Sequence, residues 1–408
     1  MYNGISYMAN MKLIYFSNHL ATHQGTIKNR NLSFAGINRS KSVISSLVKL
    51  VNSPVDGSNI SVSILSQQTP DQIASRTSTV RKRILGHEVQ PLYETDIGYI
   101  GYGPLKKISQ LMMTSLWILS NVKSKDIIMV YNFTPSVAIP IILTKLIKKY
   151  HLIIQFEEYC SCSSEYFQKV VKQFELWGIK NGDGYLTCSN KIADNIRSVR
   201  RNSNVPIAMG YGDCREVDCI DRNKKCKLKE GERLQLLYSG TLDSTRGVLR
   251  LIQFMDSVKD SADLNITGSG SLSPEIAEIC HNCKNVKFLG VLSDDRYDEL
   301  LDTIHVCVNP SPLSSPFSDY SFPSKIITYL SYNKILLSTK QSTIVNSPFR
   351  DMALYFDDNI DSFRSKIYYI IEHYNELVEN LECLTKLRSI KINEEQEIFN
   401  LISTVMRK

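Results

Sequence analysis

The chain has 408 residues, too many for one compact core and suited to two domains of roughly 150 to 200 residues each. Apolar residues make up 43% and charged residues 22%, a balance that excludes a disordered chain and calls for substantial cores. Lys plus Arg number 48 against 41 Asp plus Glu. This mild excess, dispersed and without interleaved aromatics, does not require a nucleic-acid partner.

Residues 1–10 read as a short polar leader with no basic n-region or long apolar h-region, so no export signal is expected. The ten cysteines are scattered, which fits reduced thiols in a cytoplasmic protein. The Cys280-His281-Asn282-Cys283 cluster has no second ligand pair at matching spacing, so no structural metal is expected there.

In chain order, the apolar run Met11 to Phe16 predicts a buried strand, followed by a polar loop and a helix from Ser40 to Val51. A strand from Ile60 to Leu65 follows the turn signal Pro54-Val55-Asp56-Gly57-Ser58. An amphipathic segment from Leu105 to Val122 precedes a strand from Asp126 to Tyr131. The uncharged stretch Ile127 to Thr144 approaches membrane-spanning length, but Asn132, Pro135 and Pro140 favour a strand, a turn and a proline-initiated helix. The rhythm continues with a helix from Ser136 to Tyr150, a strand from His151 to Phe156, a helix from Ser164 to Lys180 and a strand from Gly184 to Cys188. Such repeated units imply a mainly parallel sheet covered on both faces.

From Asp213 to Arg233 the sequence is charged and aperiodic, and the rhythm then restarts. Strands are expected at Leu234 to Tyr238, Leu264 to Thr267, Val286 to Leu289, His305 to Asn309 and Ile335 to Ser338. The expected organisation is a leader (1–10), a first Rossmann-like domain (11–208), a linker (209–232), a second Rossmann-like domain (233–375) and a helical segment (376–408) able to pack back on the first domain.

Ligands of open parallel sheets bind beyond the carboxyl ends of their strands. Three loops of the second domain follow strands in this way. Gly240-Thr241 ends one strand, and Arg246-Gly247 opens the next helix, a pairing of backbone approach and bidentate cation that suits a diphosphate. Gly268-Ser269-Gly270 ends the next strand. The long loop Asn309 to Lys325 runs into a helix, with Ser324 and Lys325 at its start, and a loop of that length is usually functional.

The ordered series Tyr238-Ser239-Gly240-Thr241-Leu242, Arg246-Gly247-Val248, Ile266-Thr267-Gly268-Ser269-Gly270, Val286 to Leu292 and Phe322-Pro323-Ser324-Lys325 resembles the donor-binding half of family 4 glycosyltransferases. The resemblance is strong over residues 234 to 340 and looser over the first domain. It implies the GT-B fold, an α/β architecture of two doubly wound Rossmann-like domains facing each other across a cleft. It also implies transfer of a hexose from a nucleotide sugar, UDP-linked, to a hydroxyl of a cell-surface or lipid-linked glycan, as in bacterial polysaccharide, lipopolysaccharide or capsule synthesis. Carried over by position, Gly240 and Arg246 would contact the diphosphate, Gly268, Ser269 and Gly270 would lie near the nucleoside, and Ser324 and Lys325 would reach the phosphate or sugar.

Two departures stand out. Relatives usually carry a pair of glutamates around the last helix, where this chain has Tyr320 and Thr328; Asp319 adjoins the first. Thr241 stands where many relatives have arginine. On the acceptor side, Glu158 is the preferred general base after the strand His151 to Phe156. His19 is a second candidate, Asn132 occupies a position where relatives often have histidine, and Arg39 or Lys41 could meet an anionic group. No metal and no cofactor are expected, since cationic side chains can neutralise the diphosphate and no Asp-x-Asp triplet occurs.

Arg76, Arg81, Lys82, Arg83, Lys106 and Lys107 accompany the Leu105 to Val122 segment with Met112, Met113 and Trp117, a combination suited to peripheral contact with anionic headgroups at the inner face of the cell membrane. The plainer expectation for that segment is a helix that packs its Met and Trp stripe into the core. Two other readings of function remain: a nucleotide-sugar epimerase or hydrolase on the same fold, and a catalytically inactive nucleotide-sugar-binding partner subunit.

Overall fold

A computed structural model describes residues 11–17, 40, 43–49, 60–67, 81–85, 92–101, 103–159, 168–201, 204–211, 227–315 and 317–408. The chain divides into two compact units, Met1–Tyr211 with Glu394–Lys408, and Gly212–Asn393.

The first unit is built on an eight-stranded sheet. Its strands are β1 (Met11–Ser17), β2 (Ile60–Gln67), β3 (Arg81–Leu85), β4 (Leu92–Ile97), β5 (Ile127–Tyr131), β6 (His151–Phe156), β7 (Gly184–Thr187) and β8 (Ile207–Met209), in the order β3-β4-β2-β1-β5-β6-β7-β8. All neighbours are parallel except β3 and β4, which are antiparallel. β5 is buried at every position, as a central parallel strand covered on both faces must be. The uncharged stretch from Ile127 divides into β5 and the helix Pro135–Lys145, with a proline in its first turn.

Two strands of this sheet escape the apolar pattern. β4 carries Glu94, Thr95 and Asp96, each at most 5% exposed. Ser66 Oγ donates toward Glu94 Oε1 and Asp96 Oδ1, both at 3.3 Å. β3 sets Arg81 opposite Asp96 and Arg83 opposite Glu94 in register. Polar residues therefore fill strand positions where a hydrophobic run would be sought.

The core of this unit receives Ile398, Leu401, Ile402 and Val405 from the helix Cys383–Met406. A Cβ on Gly184 would lie 2.8 Å from Leu401 Cδ1 and 2.9 Å from Val405 Cγ2. Contrary to the plainer expectation for the helix Pro104–Asn121, Met112 is 60% exposed, and Met113 and Trp117 are only half-buried. The residues this helix buries are Gln110, Thr114, Ser115 and Ile118.

The second unit holds a six-stranded parallel sheet of β9 (Leu234–Thr241), β10 (Ala262–Ser269), β11 (Val286–Gly290), β12 (Val306–Asn309), β13 (Ile335–Thr339) and β14 (Ala353–Phe356), in the order β11-β10-β9-β12-β13-β14. The helix Val248–Met255 buries Val248, Leu251, Ile252 and Met255, one helical face against the sheet. The helix Ile360–Glu379 buries Phe363, Ile367, Ile370, Tyr374 and Val378 in the same core. Among the described residues no helix is long and apolar enough to cross a membrane.

Candidate functional site

From β9 the chain steps outward to β10 and β11, then returns to place β12 on the other side of β9. The topological switch point therefore lies between the carboxyl ends of β9 and β12, where open α/β sheets hold their ligands. Gly240 and Thr241 end β9, and Asn309 ends β12.

Backbone crowding explains most of the glycines there. Gly268 pairs with Gly240 in the β9–β10 ladder; its φ is +132°, and a Cβ would fall 1.9 Å from Gly240 O. Gly247 has φ +76°, and a Cβ would fall 2.2 Å from Pro310 O. Gly270 presses on Leu242 O, 2.1 Å from where its Cβ would sit. These three are required by the packing of one loop on the next. Gly240 differs, since its Cβ would meet nothing nearer than Tyr238 Oη at 3.4 Å. Thr241 and Ser269, opposite one another in register, are exposed.

Asp243 shapes the turn after β9, where its Oδ1 accepts from Thr245 N at 2.8 Å and from Thr245 Oγ1 at 2.6 Å. Its other oxygen lies 4.0 Å from Arg246 Nε. The Arg246 guanidinium stacks over the Phe317 ring at 5.3 Å, and its buried Nε has no hydrogen-bond partner among the described residues. About a third of the side chain is exposed, 31%. A planar cation so held offers its remaining N–H groups to a bidentate anion. Beneath it, burial pushes the Tyr238 phenol well above its ordinary pKa, with the nearby Arg246 charge opposing that shift; its Oη donates to Thr241 O at 2.8 Å.

The long loop is anchored at its start. Arg250 donates to Pro310 O at 3.0 Å and pairs with Asp358, whose Oδ2 accepts from Leu313 N at 3.3 Å. Asn309 Nδ2 donates to Ser338 Oγ at 2.9 Å and to Gln341 Oε1 at 2.7 Å. Further along, Asp319 Oδ1 accepts from Ser342 Oγ at 2.6 Å, and Tyr320 is half-buried. The loop ends in the helix Lys325–Ser331. Tyr329, buried on that helix, bonds through its hydroxyl to the backbone of Ser239. Lys325 Nζ sits over the Tyr297 ring at 5.1 Å. Ser324 and Thr328 are half-buried, and the Thr328 carbonyl accepts from Ser331 Oγ at 2.7 Å.

The structure thus brings Gly240, Thr241, Arg246, Gly268, Ser269 and Gly270 onto adjoining loops and ties the helix of Lys325 to β9. Phe317 and Arg250 were not singled out in the sequence. Arg250 lies inside the helix that Arg246 precedes, and the Phe317 contact leaves no local trace.

The first unit has its own switch point, between β1 and β5. A buried polar chain lies at these strand ends. Ser17 Oγ and Ser40 Oγ are 3.0 Å apart, Tyr15 Oη donates to Gln155 Oε1 at 2.9 Å, and Gln155 Nε2 donates to Glu157 Oε1 at 2.7 Å. Asn132 adopts a left-handed backbone, φ +47°, which asparagine tolerates better than most residues. Its Oδ1 accepts from Glu157 N at 2.9 Å, so that oxygen is committed to joining the ends of β5 and β6. Glu158 is half-buried beside it. His19, Arg39 and Lys41 lie outside the described residues. No cluster of three or more His, Cys, Asp or Glu among the described residues could hold a metal ion, and Cys280 and Cys283 are free thiols.

No family model matches the sequence, and no curated protein matches it. Solved structures do match over nearly the whole chain. The catalytic domain of starch synthase IV from Arabidopsis thaliana, bound to ADP and acarbose, is 10% identical, with 98% of this chain and 100% of that chain covered and a TM-score of 0.65. The chain has the GT-B fold. Anabaena HepE in complex with UDP shares this fold at 10% identity and a TM-score of 0.60, covering 96% of this chain and 100% of that one. The apo form of the lipopolysaccharide outer core galactosyltransferase WaaB shares it at 12% identity and a TM-score of 0.57, covering 96% and 99%. The two doubly wound units described above are the two Rossmann-like domains of that GT-B architecture.

Proposed function

We propose that this protein is a metal-independent, cofactor-free glycosyltransferase that moves a hexose from a UDP-linked sugar to a hydroxyl of a cell-surface or lipid-linked glycan intermediate. The observation that carries the reading is Arg246 at the β9–β12 switch point, stacked on Phe317 with its Nε left without a hydrogen-bond partner among the described residues. That guanidinium would neutralise the leaving diphosphate, with Lys325 as a second cation and Gly240 giving the backbone room. Electrostatic stabilisation of the leaving group would then supply most of the rate. UDP in the HepE complex and UDP-2-fluoro glucose in the Escherichia coli trehalose-6-phosphate protein are the ligands of GT-B neighbours that favour a uridine donor; WaaB favours an acceptor of the lipopolysaccharide or capsule class. We infer a cytoplasmic reaction at the inner face of the cell membrane, with no nucleic-acid partner. On the acceptor side, Glu158 is the proposed base and His19 the second candidate for that role, with Asn132 positioning the turn before Glu158 and Arg39 and Lys41 as acceptor contacts.

The experiment is a thermal-shift panel against UDP, GDP, ADP and CMP, since a ligand that binds the native state alone raises the melting temperature by mass action. A shift with UDP that is lost in Arg246→Ala supports the reading. No shift with any nucleotide at millimolar concentration overturns it.

A second reading, a nucleotide-sugar-binding partner subunit without turnover, is favoured by Asp319. Its Oδ1 is occupied by Ser342, so it is a poor substitute for the pair of glutamates whose positions Tyr320 and Thr328 hold. UDP binding with no transfer and no donor hydrolysis would select this reading.

A further inference from the structure

The helix Pro104–Asn121 turns its polar side inward. Three of its four buried residues, Gln110, Thr114 and Ser115, are polar, and all three are bonded. Gln110 Nε2 donates to Ile97 O at 3.2 Å, Thr114 Oγ1 donates to Gln110 O at 2.7 Å and accepts from Gln67 Nε2 at 3.0 Å, and Ser115 Oγ donates to Leu111 O at 2.8 Å. The bonds of Gln110 and Thr114 to Ile97 and Gln67 lock the rotation of the helix about its own axis. On the outward side stand Leu105, Ile108, Met112 and Leu116, at 60%, 52%, 60% and 60% exposure. Their spacing of three, four and four residues aligns them in one stripe. Soluble helices put such a stripe against their core; here the buried hydrogen bonds forbid it.

A second exposed apolar group lies at the end of a neighbouring helix. Leu143, Leu146 and Ile147, at 50%, 78% and 70% exposure, end the neighbouring helix Pro135–Lys145 and its following turn. Lys148 Nζ donates to Leu119 O and, at 2.6 Å, to Val122 O, fastening that turn to the end of the helix Pro104–Asn121. Exposed apolar side chains grouped on two neighbouring helices mark an interaction site.

Charge identifies the occupant. Residues 103–150 contain Lys106, Lys107, Lys123, Lys125, Lys145, Lys148 and Lys149 against one acid, Asp126. That acid is 2% exposed and holds the backbone N–H groups of Lys12 and Lys123. Lys145 is paired with Asp183 at 3.0 Å and Lys148 is held by backbone carbonyls, but Lys107, Lys123, Lys125 and Lys149 stay exposed, and an apolar stripe accompanied by such lysines complements a layer of anionic headgroups over acyl chains. A two-fold contact between copies would instead oppose the same lysines.

We propose that this face docks on an anionic phospholipid bilayer, with the helix Pro104–Asn121 lying in the plane of the interface. It goes beyond the donor-site reading and rests on this surface alone. The assay below contains no nucleotide sugar, so its failure would leave the UDP result standing, and the reverse.

The test is flotation of the full chain with phosphatidylcholine vesicles, with and without phosphatidylglycerol. The chain should float with the anionic vesicles. The combined variant Leu105→Ser, Ile108→Ser, Met112→Ser and Leu116→Ser should lower the bound fraction about tenfold or more, because interfacial binding scales with buried apolar area. Its melting temperature should stay unchanged, since none of the four residues is buried. A second variant, Lys106→Glu with Lys107→Glu, keeps the stripe and should lose the preference for phosphatidylglycerol. Failure of the unaltered chain to float with anionic vesicles overturns the proposal, as does undiminished flotation of the serine variant. A dimer in sedimentation velocity that the serine variant dissociates would assign the face to a second copy and also overturn it.

Discussion

The hydroxyl of Tyr329 accepts from Ser239 N at 2.9 Å and donates to Ser239 O at 3.0 Å, so one phenol satisfies both backbone groups of a single residue at the end of β9. Burial holds that phenol well above its ordinary pKa, so it stays a donor throughout the physiological range. Removing it in Tyr329→Phe strands a buried N–H and a buried carbonyl. The expected loss is about 1–3 kcal/mol of stability, measured by chemical denaturation. Because Tyr329 fastens the helix of Lys325 to β9, UDP affinity should fall as well.

Arg246 and Phe317 should act together. Arg246→Ala is expected to weaken UDP binding by about 10- to 100-fold, the range of one or two charge-assisted bonds. Phe317→Ala leaves the charge in place but removes the surface that orients it, and should cost a smaller, several-fold loss. In Arg246→Ala the further substitution Phe317→Ala should change little, a non-additivity that titration calorimetry of the four proteins reads directly.

The glycines of the site divide by what surrounds them. Gly247→Ala forces a Cβ toward Pro310 O on a left-handed backbone and should destabilise the second unit by about 1–3 kcal/mol. Gly240→Ala has room for its methyl group, so its melting temperature should match that of the parent. If Gly240 serves ligand approach, UDP affinity alone falls; an unchanged affinity would remove Gly240 from the site.

His305 gives the second unit an acid-sensitive point. Its ring is 1% exposed and packs edge-on against Tyr374 at 5.1 Å, and Nδ1 accepts from Gln235 N at 2.9 Å. Burial first of all, with the Lys334 charge, holds its pKa below the ordinary 6.5 against the opposing pull of Glu232. The folded state therefore resists a proton that the unfolded state takes up. Stability from this residue is complete above about pH 6.5 and falls as pH drops from there to the folded pKa, at up to about 1.4 kcal/mol per unit. Melting curves between pH 7.5 and 5, both approximate limits set around the ordinary histidine pKa, should show this slope, and His305→Gln should flatten it.

The strands with apolar runs were legible in the sequence because parallel strands covered on both faces admit little else: β1, β5, β6, β9 and β12 all fall where the runs predict them. β4 was not, because Glu94 and Asp96 occupy its buried positions and find Ser66 across the sheet. Helix Pro104–Asn121 was placed but not oriented. Periodicity reveals a stripe without saying which side the core takes, and the partners that decide it, Gln67 and Ile97, come from distant strands. Arg246 was legible through its glycine neighbours. Phe317, which holds it, was one aromatic in a long loop of serines and prolines.

Gly184 meets Leu401 and Val405, side chains synthesised only after the entire second unit. A growing chain can therefore pack the sheet of the second unit while the first still has a gap in its core beside β7. Completion of the amino-terminal unit must await the carboxyl-terminal helix, and the order of synthesis is not the order in which the two units finish folding.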